Sequence, residues 1–233
     1  SENEFFGKPC GLLDQMASSV GTFVTIDFES TQNPIIKKVD FDFSKYNHSL
    51  CIVDTGGNHS DLTDDYASVR TEMEEVAKVL GKSVLRETSE EEFFANISKI
   101  KDSVNDRAML RAIHFFNENR RVDAAVKSLE SGNFDEFKKI IIESGLSSYM
   151  YNQNVYTPKN PLEQKLSLAL AISDEILKGK GAYRVHGGGF AGTIQAFVPN
   201  DILDIYKKTI ENVFGDGSCH ILSIRPCGGV QVL

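Results

Sequence analysis

The sequence contains little of what marks disordered, membrane-spanning or nucleic-acid-binding proteins. Its 233 residues include only 6 prolines, with 41% hydrophobic and 25% charged residues, which is the composition of a folded globular chain. No apolar run approaches the roughly 18 residues that a membrane-spanning helix needs. Acidic residues outnumber basic residues by 33 to 25, and the basic residues form no stripe, so we expect neither nucleic acid nor a membrane as a partner.

Cysteine is also scarce and shows no metal-binding or redox spacing. The four cysteines, Cys10, Cys51, Cys219 and Cys227, are widely spaced and form no CxxC pair. This pattern favours buried, reduced thiols over disulfides and indicates a cytoplasmic protein. The chain begins with Ser1 and has no leading strand or helix before its first motif, so we expect it to be part of a longer protein.

The hydrophobic spacing changes twice along the chain. Strand patterns come first, helical spacing dominates the middle, and strands then return with one helix between them. The predicted strands cover about residues 24–27, 35–41, 49–55, 182–186, 193–198, 219–225 and 229–233. The predicted helices cover about residues 61–80, 89–100, 109–132, 134–144, 162–178 and 201–214. This order predicts an α+β fold with antiparallel β-sheet layers and a helical middle segment, in which the helices between the strand groups pack on one side of the sheet.

Asp14 is the first candidate for chemistry. It lies in the segment PCGLLDQ, where Pro9 and Gly11 precede an apolar helical turn. A carboxylate near a helix N-terminus is held ionised by the helix dipole and could accept or orient a hydroxyl proton. From the spacing alone, an acidic residue that only supports the start of its helix is the more common interpretation.

The second candidate is the segment RVHGGGFAGT at residues 184–193, which places four glycines between two strand patterns. Such a loop permits close approach of a phosphate or a sugar hydroxyl to backbone N–H groups, although a plain glycine-rich turn is an equally good interpretation. It is neither a Walker A motif nor a dinucleotide-binding fingerprint. The histidines show no metal-ligand spacing, so we expect no metal site in this chain. We expect a structural role for His114, and only His186 lies beside the loop.

Together these segments resemble the C-terminal portion of a galactokinase, within the GHMP superfamily of sugar and metabolite kinases. FFGKPCGLLDQMASSVG resembles the family segment G-x-PCG-x-MDQ, FVTIDF resembles its LLIDC strand, and GGGFAGT resembles its closing motif GGGFGG. His59 and the residues from Tyr66 to Arg70 match a family segment with histidine, tyrosine and arginine in that order. RAIHFFNENRR, at residues 111–121, is similar to the family helix R-A-x-H-V-x-x-E-x-x-R. The short segment SGLSSYM, at 144–150, resembles a phosphate loop only superficially, and we expect it to end a helix.

The resemblance implies an ATP-dependent sugar 1-kinase that transfers the γ-phosphoryl group of ATP to the C1 hydroxyl of galactose. It implies one catalytic residue, Asp14. It also implies residues that contact the substrate, namely Gly11, Tyr66, Gly187, Gly188 and Gly189. Phosphoryl transfer through a loose transition state depends mainly on positioning and charge balance, which a carboxylate and a set of backbone amides can supply.

The resemblance also implies how the whole protein is divided. Residues 1–233 correspond to a galactokinase-like C-terminal domain, with the catalytic-aspartate helix in residues 1–21 at an interdomain cleft and the α+β body in residues 22–233. The family motifs GEHTDYN and PxGxGLSSSA, which supply most sugar contacts and bind ATP and Mg²⁺, do not occur in this chain. We therefore expect ATP and Mg²⁺ to be cofactors of the full-length protein, bound with its N-terminal half, and we expect this chain alone to be inactive.

Three departures from the family pattern leave alternatives open. Ala191 replaces a glycine of the closing motif, His186 stands where threonine or serine is usual, and residues 145–161 do not resemble the family segment HxSLRDxYEVS. Galactose is the leading substrate, with N-acetylgalactosamine or another hexose as alternatives. The alternatives to an enzyme are a sugar sensor or regulator without turnover and a structural remnant.

Overall fold

The structure is a computed structural model that describes residue 5, residues 11–57 and residues 62–229. Its first elements are helix α1 (Leu13–Val20), strands β1 (Phe23–Asp27), β2 (Ile35–Val39) and β3 (His48–Asp54), and helices α2 (Thr63–Val79), α3 (Glu90–Ala95), α4 (Ile97–Lys101), α5 (Asp106–Glu130) and α6 (Phe134–Ser147). They continue with a π-helical turn (Ser148–Asn152), helix α7 (Lys165–Leu177), strands β4 (Ala182–Val185) and β5 (Thr193–Pro199), helix α8 (Leu203–Phe214) and strand β6 (Cys219–Leu222). None of the helices in these ranges is long and apolar enough to cross a membrane.

The strands of the described residues pair in two sheets. β1 and β2 form a two-stranded sheet, and the other strands form a four-stranded sheet in the order β4-β5-β3-β6. Every pairing is antiparallel. The helices from α2 to α7 lie between β3 and β4 in the chain and form the helical middle segment. The predicted α+β fold with antiparallel sheets is therefore confirmed.

The four-stranded sheet is covered by helices on both faces. On one face, Cys51 and Ala196 pack with residues of α7 and α8. On the other face, Ala182 and Phe197 pack with Phe137 of α6. The predicted arrangement of helices on one side was wrong, because alternate residues of a strand face opposite ways and β5 buries side chains on both of its faces.

A separate helical core lies beside the sheet. It is formed by α2 to α5 and buries Val76, Phe93, Ile100, Ala112 and Phe116, among others. These residues fall at helical spacing in the sequence, which is why the periodicity alone located most of this layer. The core fixes α2 against α5, and that pairing positions the residues discussed below.

The bounds of the predicted helices lie within three residues of the observed bounds, and one predicted helix is divided in two. The helix predicted over residues 89–100 is divided at Asn96, whose side-chain amide donates to a carbonyl of the preceding turn at 2.8 Å. Asparagine competes with helix continuation through such local hydrogen bonds. The helix predicted over residues 162–178 begins only at Lys165, because the residues before it form turns.

The cysteines mostly follow the prediction. Cys51 and Cys219 are free and buried in the core beneath the four-stranded sheet. Cys227 is also free but is exposed, so the prediction of burial was wrong for this residue, which lies beyond the end of β6. Cys10, His59 and residues 230–233 of the last predicted strand lie outside the described residues.

Candidate functional site

The glycine-rich loop connects β4 to β5. It is closed at its base by the His186 N–H group, which donates to the Thr193 carbonyl at 2.9 Å. Gly187, Gly189 and Phe190 have positive φ angles of 68°, 82° and 57°. Glycine adopts this left-handed conformation without strain, whereas other residues do not. Backbone conformation therefore accounts for two of the three consecutive glycines.

Tyr66 of α2 lies directly against the loop. Its hydroxyl donates to the Gly189 carbonyl at 2.8 Å, and its ring meets the ring of Phe190 edge to face with centroids 5.3 Å apart. A Cβ placed on Gly188 would be 2.6 Å from Cε1 of Tyr66, so the absence of a side chain at Gly188 makes room for this ring. Partial burial raises the pKa of the Tyr66 hydroxyl. The structure thus brings Tyr66 together with the glycine loop, two parts of the chain to which the resemblance assigns substrate contacts.

Two further residues fasten the loop, and no sequence pattern pointed to either. The backbone carbonyl of Asn154 accepts from the Phe190 N–H at 2.5 Å, and its side-chain amide donates to the Gly188 carbonyl at 3.1 Å. Thr55, which follows β3, donates to the Gly192 carbonyl from its N–H at 3.0 Å and from its hydroxyl at 2.8 Å. Most of these contacts use backbone atoms, which carry no residue-type signature.

Asp14 lies in the first turn of α1 and is exposed. In the part of the chain that the structure describes, its carboxylate forms no hydrogen bond or ion pair. Gly11 is also exposed, and a Cβ placed on it would have no neighbour within 4 Å. The contacts of the described residues therefore do not join either residue to the glycine loop.

Helix α1 is fixed to the body at its C-terminal end. The Thr22 N–H donates to the Arg225 carbonyl at 2.8 Å, and the Gly229 N–H donates to the Ser19 carbonyl at 3.3 Å. A Cβ on Gly228 would overlap the Ser19 carbonyl, which shows how closely the two segments approach. The N-terminal turn of α1, with its carboxylate, is thereby left facing outward.

Two cavities border the loop and Tyr66. A cavity of about 450 Å³ is lined by Gly57, Lys159, Lys165, Phe190 and other residues. Its two lysines are already engaged, because Lys165 donates to the Gly56 carbonyl at 3.0 Å and Lys159 lies 3.3 Å from a carboxylate of α2. A larger cleft of about 1230 Å³ lies between Tyr66, the β1–β2 hairpin and α5.

Of the histidines, His114 has the buried, structural environment that the sequence predicted for it. His114 is buried on α5, where its Nδ1 and the Ser147 hydroxyl are 2.9 Å apart and burial lowers its pKa to about 4. His186 is exposed and lies 3.0 Å from the Gln195 side chain. Among the described residues, no three His, Cys, Asp or Glu side chains are grouped so that they could hold a metal ion. The segment 144–150 ends α6 and enters the π-helical turn, so its prediction as a helix end is confirmed.

Comparison with curated proteins finds galactokinases. The galactokinase of Haemophilus influenzae strain Rd is 28% identical over 216 residues, which cover 90% of this chain and 52% of that protein. Human galactokinase is 29% identical over 238 residues, which cover 100% of this chain and 56% of that protein. The chain therefore spans about half the length of the curated relatives it matches. No protein-family model matches it.

Solved structures share the fold. Lactococcus lactis galactokinase complexed with galactose superposes with a TM-score of 0.75 at 23% identity, covering 99% of this chain and 58% of that one. L. major mevalonate kinase in complex with R-mevalonate superposes with a TM-score of 0.59 at 15% identity, covering 98% of this chain and 56% of that one. The chain is similar to galactokinases in sequence, and it has the fold that galactokinase shares with another small-molecule kinase.

Proposed function

We propose that this chain is the C-terminal half of an ATP-dependent sugar 1-kinase that phosphorylates galactose at its C1 hydroxyl. The observation that carries the proposal is the packing of Tyr66 against the loop of Gly187, Gly188 and Gly189. Two segments that resemble galactokinase motifs, separated by 123 residues, meet there by direct contact. Similarity to galactokinases over almost the whole chain supports the same conclusion.

Asp14 is the proposed catalytic residue. Its carboxylate is exposed in the first turn of α1. An ionised carboxylate at this position can accept the proton of the sugar C1 hydroxyl while the oxygen of that hydroxyl attacks the γ-phosphorus of ATP. The products are the sugar 1-phosphate and ADP, and the proton leaves the carboxylate to solvent.

The sugar-binding residues have separate parts in this proposal. Gly11 has no side chain and leaves space beside Asp14 for the sugar. The Tyr66 hydroxyl donates to the Gly189 carbonyl at the edge of the loop, and the proposal places this side chain beside the sugar. Gly187 and Gly188 are exposed, and at Gly187 an added Cβ would have no neighbour within 4 Å, so a substrate can approach the backbone there.

The described residues do not by themselves fit ATP or Mg²⁺. They contain no cluster of metal-ligating side chains, and within the glycine loop the N–H groups of Phe190 and Ala191 already donate to Asn154 and Gly189. The proposal therefore assigns both cofactors to the N-terminal half of the same protein, which completes an interdomain cleft with residues 1–21. The chain alone is then inactive.

The test uses the full-length protein with galactose and Mg-ATP, with galactose 1-phosphate followed by ³¹P NMR and ADP release measured in parallel. Asp14→Asn should lower kcat by about 10² or more with little change in sugar affinity, because it removes the charge and keeps the shape. Asp216→Asn, which neutralises another exposed carboxylate, is the matched control. N-acetylgalactosamine and other hexoses are assayed beside galactose.

Each outcome decides between named alternatives. Turnover with galactose that depends on Asp14 and not on Asp216 supports the kinase. Saturable sugar binding without ADP release would instead identify a sensor, and turnover that survives Asp14→Asn would remove the proposed catalytic role. Preference for another hexose would keep the reaction and change the substrate.

A further inference from the structure

Asn154 contacts the glycine loop through both its main chain and its side chain. The two hydrogen bonds described above join it to Phe190 and Gly188. A Cβ placed on Gly189 would overlap the Asn154 carbonyl, so the two backbones approach as closely as a glycine allows. Asn154 is only 5% exposed, and its position is therefore set by the protein and not by solvent.

The turn that carries Asn154 is itself held in place by hydrogen bonds to the rest of the protein. Gln153 adopts a left-handed conformation with φ of 54°, and its N–H donates to the Ser148 carbonyl at 2.8 Å. The Asn152 carbonyl accepts from Nε of Arg111 at 3.0 Å. Arg111 lies on α5 and is completely buried, so this contact attaches the turn to the interior of the helical layer.

Arg111 is held by α2, the helix that also carries Tyr66. Its Nη1 donates to Oε2 of Glu72 at 2.8 Å and to the Ser68 hydroxyl at 2.9 Å. Arg107 binds the other side of the Glu72 carboxylate, with Nη2 and Oε1 separated by 2.6 Å. Removing one partner of a buried, hydrogen-bonded ion pair leaves an uncompensated charge, so such a network favours one arrangement of its members.

We propose that Asn154 is a positioning residue that sets the distance between the glycine loop and Tyr66. Glu72 and Arg111 fix the turn, and Asn154 transmits that position to Gly188 and Gly189. The positions of Tyr66 and of the loop are therefore both set by the same two helices, α2 and α5. Only the expected effect on turnover rests on the proposed function; the effect on loop order does not.

The experiment compares the full-length protein with its Asn154→Ala variant by amide hydrogen exchange and by sugar-kinase kinetics. The substitution removes the side-chain donor to Gly188 and keeps the backbone carbonyl that binds Phe190. Exchange over residues 187–192 should become about two- to tenfold faster, the range that the loss of one hydrogen bond predicts. The kcat/KM for the sugar should fall by about tenfold or more, because small displacements of positioning groups are costly to catalysis.

Asn33→Ala is the matched control, since it makes the same change in an exposed turn between β1 and β2. If Asn154→Ala does not fold, Asn154→Asp is measured in its place, because it keeps the size of the side chain and replaces the donor by an acceptor. Faster exchange confined to the loop supports the proposal, even if the wild type has no sugar-kinase turnover and the proposed function fails. Unchanged loop exchange, or equally faster exchange throughout the protein, would overturn it.

Discussion

Alanine substitutions at the three consecutive glycines should have different effects, because the structure constrains each position differently. Gly187 has positive φ, and a Cβ added to it would have no neighbour within 4 Å, whereas Gly188 lacks positive φ and its added Cβ would meet the Tyr66 ring at 2.6 Å. Gly189 combines both constraints, since it has φ of 82° and a Cβ there would overlap the Asn154 carbonyl. We expect Gly187→Ala to be the least destabilising of the three substitutions, Gly188→Ala to be intermediate and Gly189→Ala to be the most destabilising.

The magnitudes follow from these constraints. Gly187→Ala should destabilise by about 1 kcal/mol, the strain of one left-handed alanine. Gly188→Ala requires the Tyr66 ring to move by about 1 Å to reach ordinary carbon–carbon contact, which endangers its hydrogen bond and its edge-to-face contact and should destabilise by about 1–2 kcal/mol. Gly189→Ala adds a collision with backbone that cannot rotate away, and we expect about 3 kcal/mol or more.

Urea unfolding of the three variants measures the order, and turnover of the full-length variants measures the site. Gly188→Ala should lose more turnover than its stability alone explains, because it displaces a proposed sugar contact. A double-mutant cycle with Tyr66→Leu isolates the contact, since removal of the ring should relieve much of the destabilisation by Gly188→Ala. Additive effects in that cycle, or a Gly189→Ala variant as stable as the wild type, would refute the reasoning.

Two further predictions concern ATP and pH. Calorimetric titration of this chain with Mg-ATP should show no saturable micromolar binding, because the chain lacks the family's phosphate-binding motif. Saturable micromolar binding would contradict this prediction and would make residues 145–148 a candidate phosphate loop. Burial lowers the pKa of His114 to about 4, so between pH 6.5 and 4 the unfolded state takes up a proton that the folded state does not, and stability falls as pH falls through this window. His114→Gln should weaken this pH dependence by up to about 3 kcal/mol in urea unfolding series, and an unchanged slope would contradict the assignment.

Much of the fold could be predicted because its signals are local. The long helix α5 and the strands β3 and β5 appear in the sequence as helical spacing and as short apolar runs. The break at Asn96 was missed because it depends on one side chain competing with the backbone. The placement of helices on both faces of the sheet depends on tertiary packing. The apolar residues of a strand do not show which helix will cover each of its faces.

The site was predictable only in part, because some of its contacts depend on tertiary packing and not on local sequence signals. Tyr66 and the glycines are chemically distinctive, and a resemblance could pair them across 123 residues. Asn154 was not predictable, because its shortest contact with the loop, at 2.5 Å, is made by a backbone carbonyl that any residue would present. Asn154 also lies in a segment that departs from the family pattern, so the resemblance assigned it no role.

The departure at Ala191 shows how this chain accommodates a change in the loop without altering its course. Ala191 replaces a glycine of the family motif, yet it has no positive φ in the structure, so its methyl group causes no backbone strain. That methyl group lies against Gly57, where an added Cβ would come within 2.8 Å of it. The glycine needed for close approach is thus found on the opposing segment after β3, while the left-handed positions of the loop at Gly187 and Gly189 keep theirs. The glycines within the motif are therefore not the only ones on which the loop conformation depends, since Gly57, which is distant in sequence, provides the space for the Ala191 methyl group.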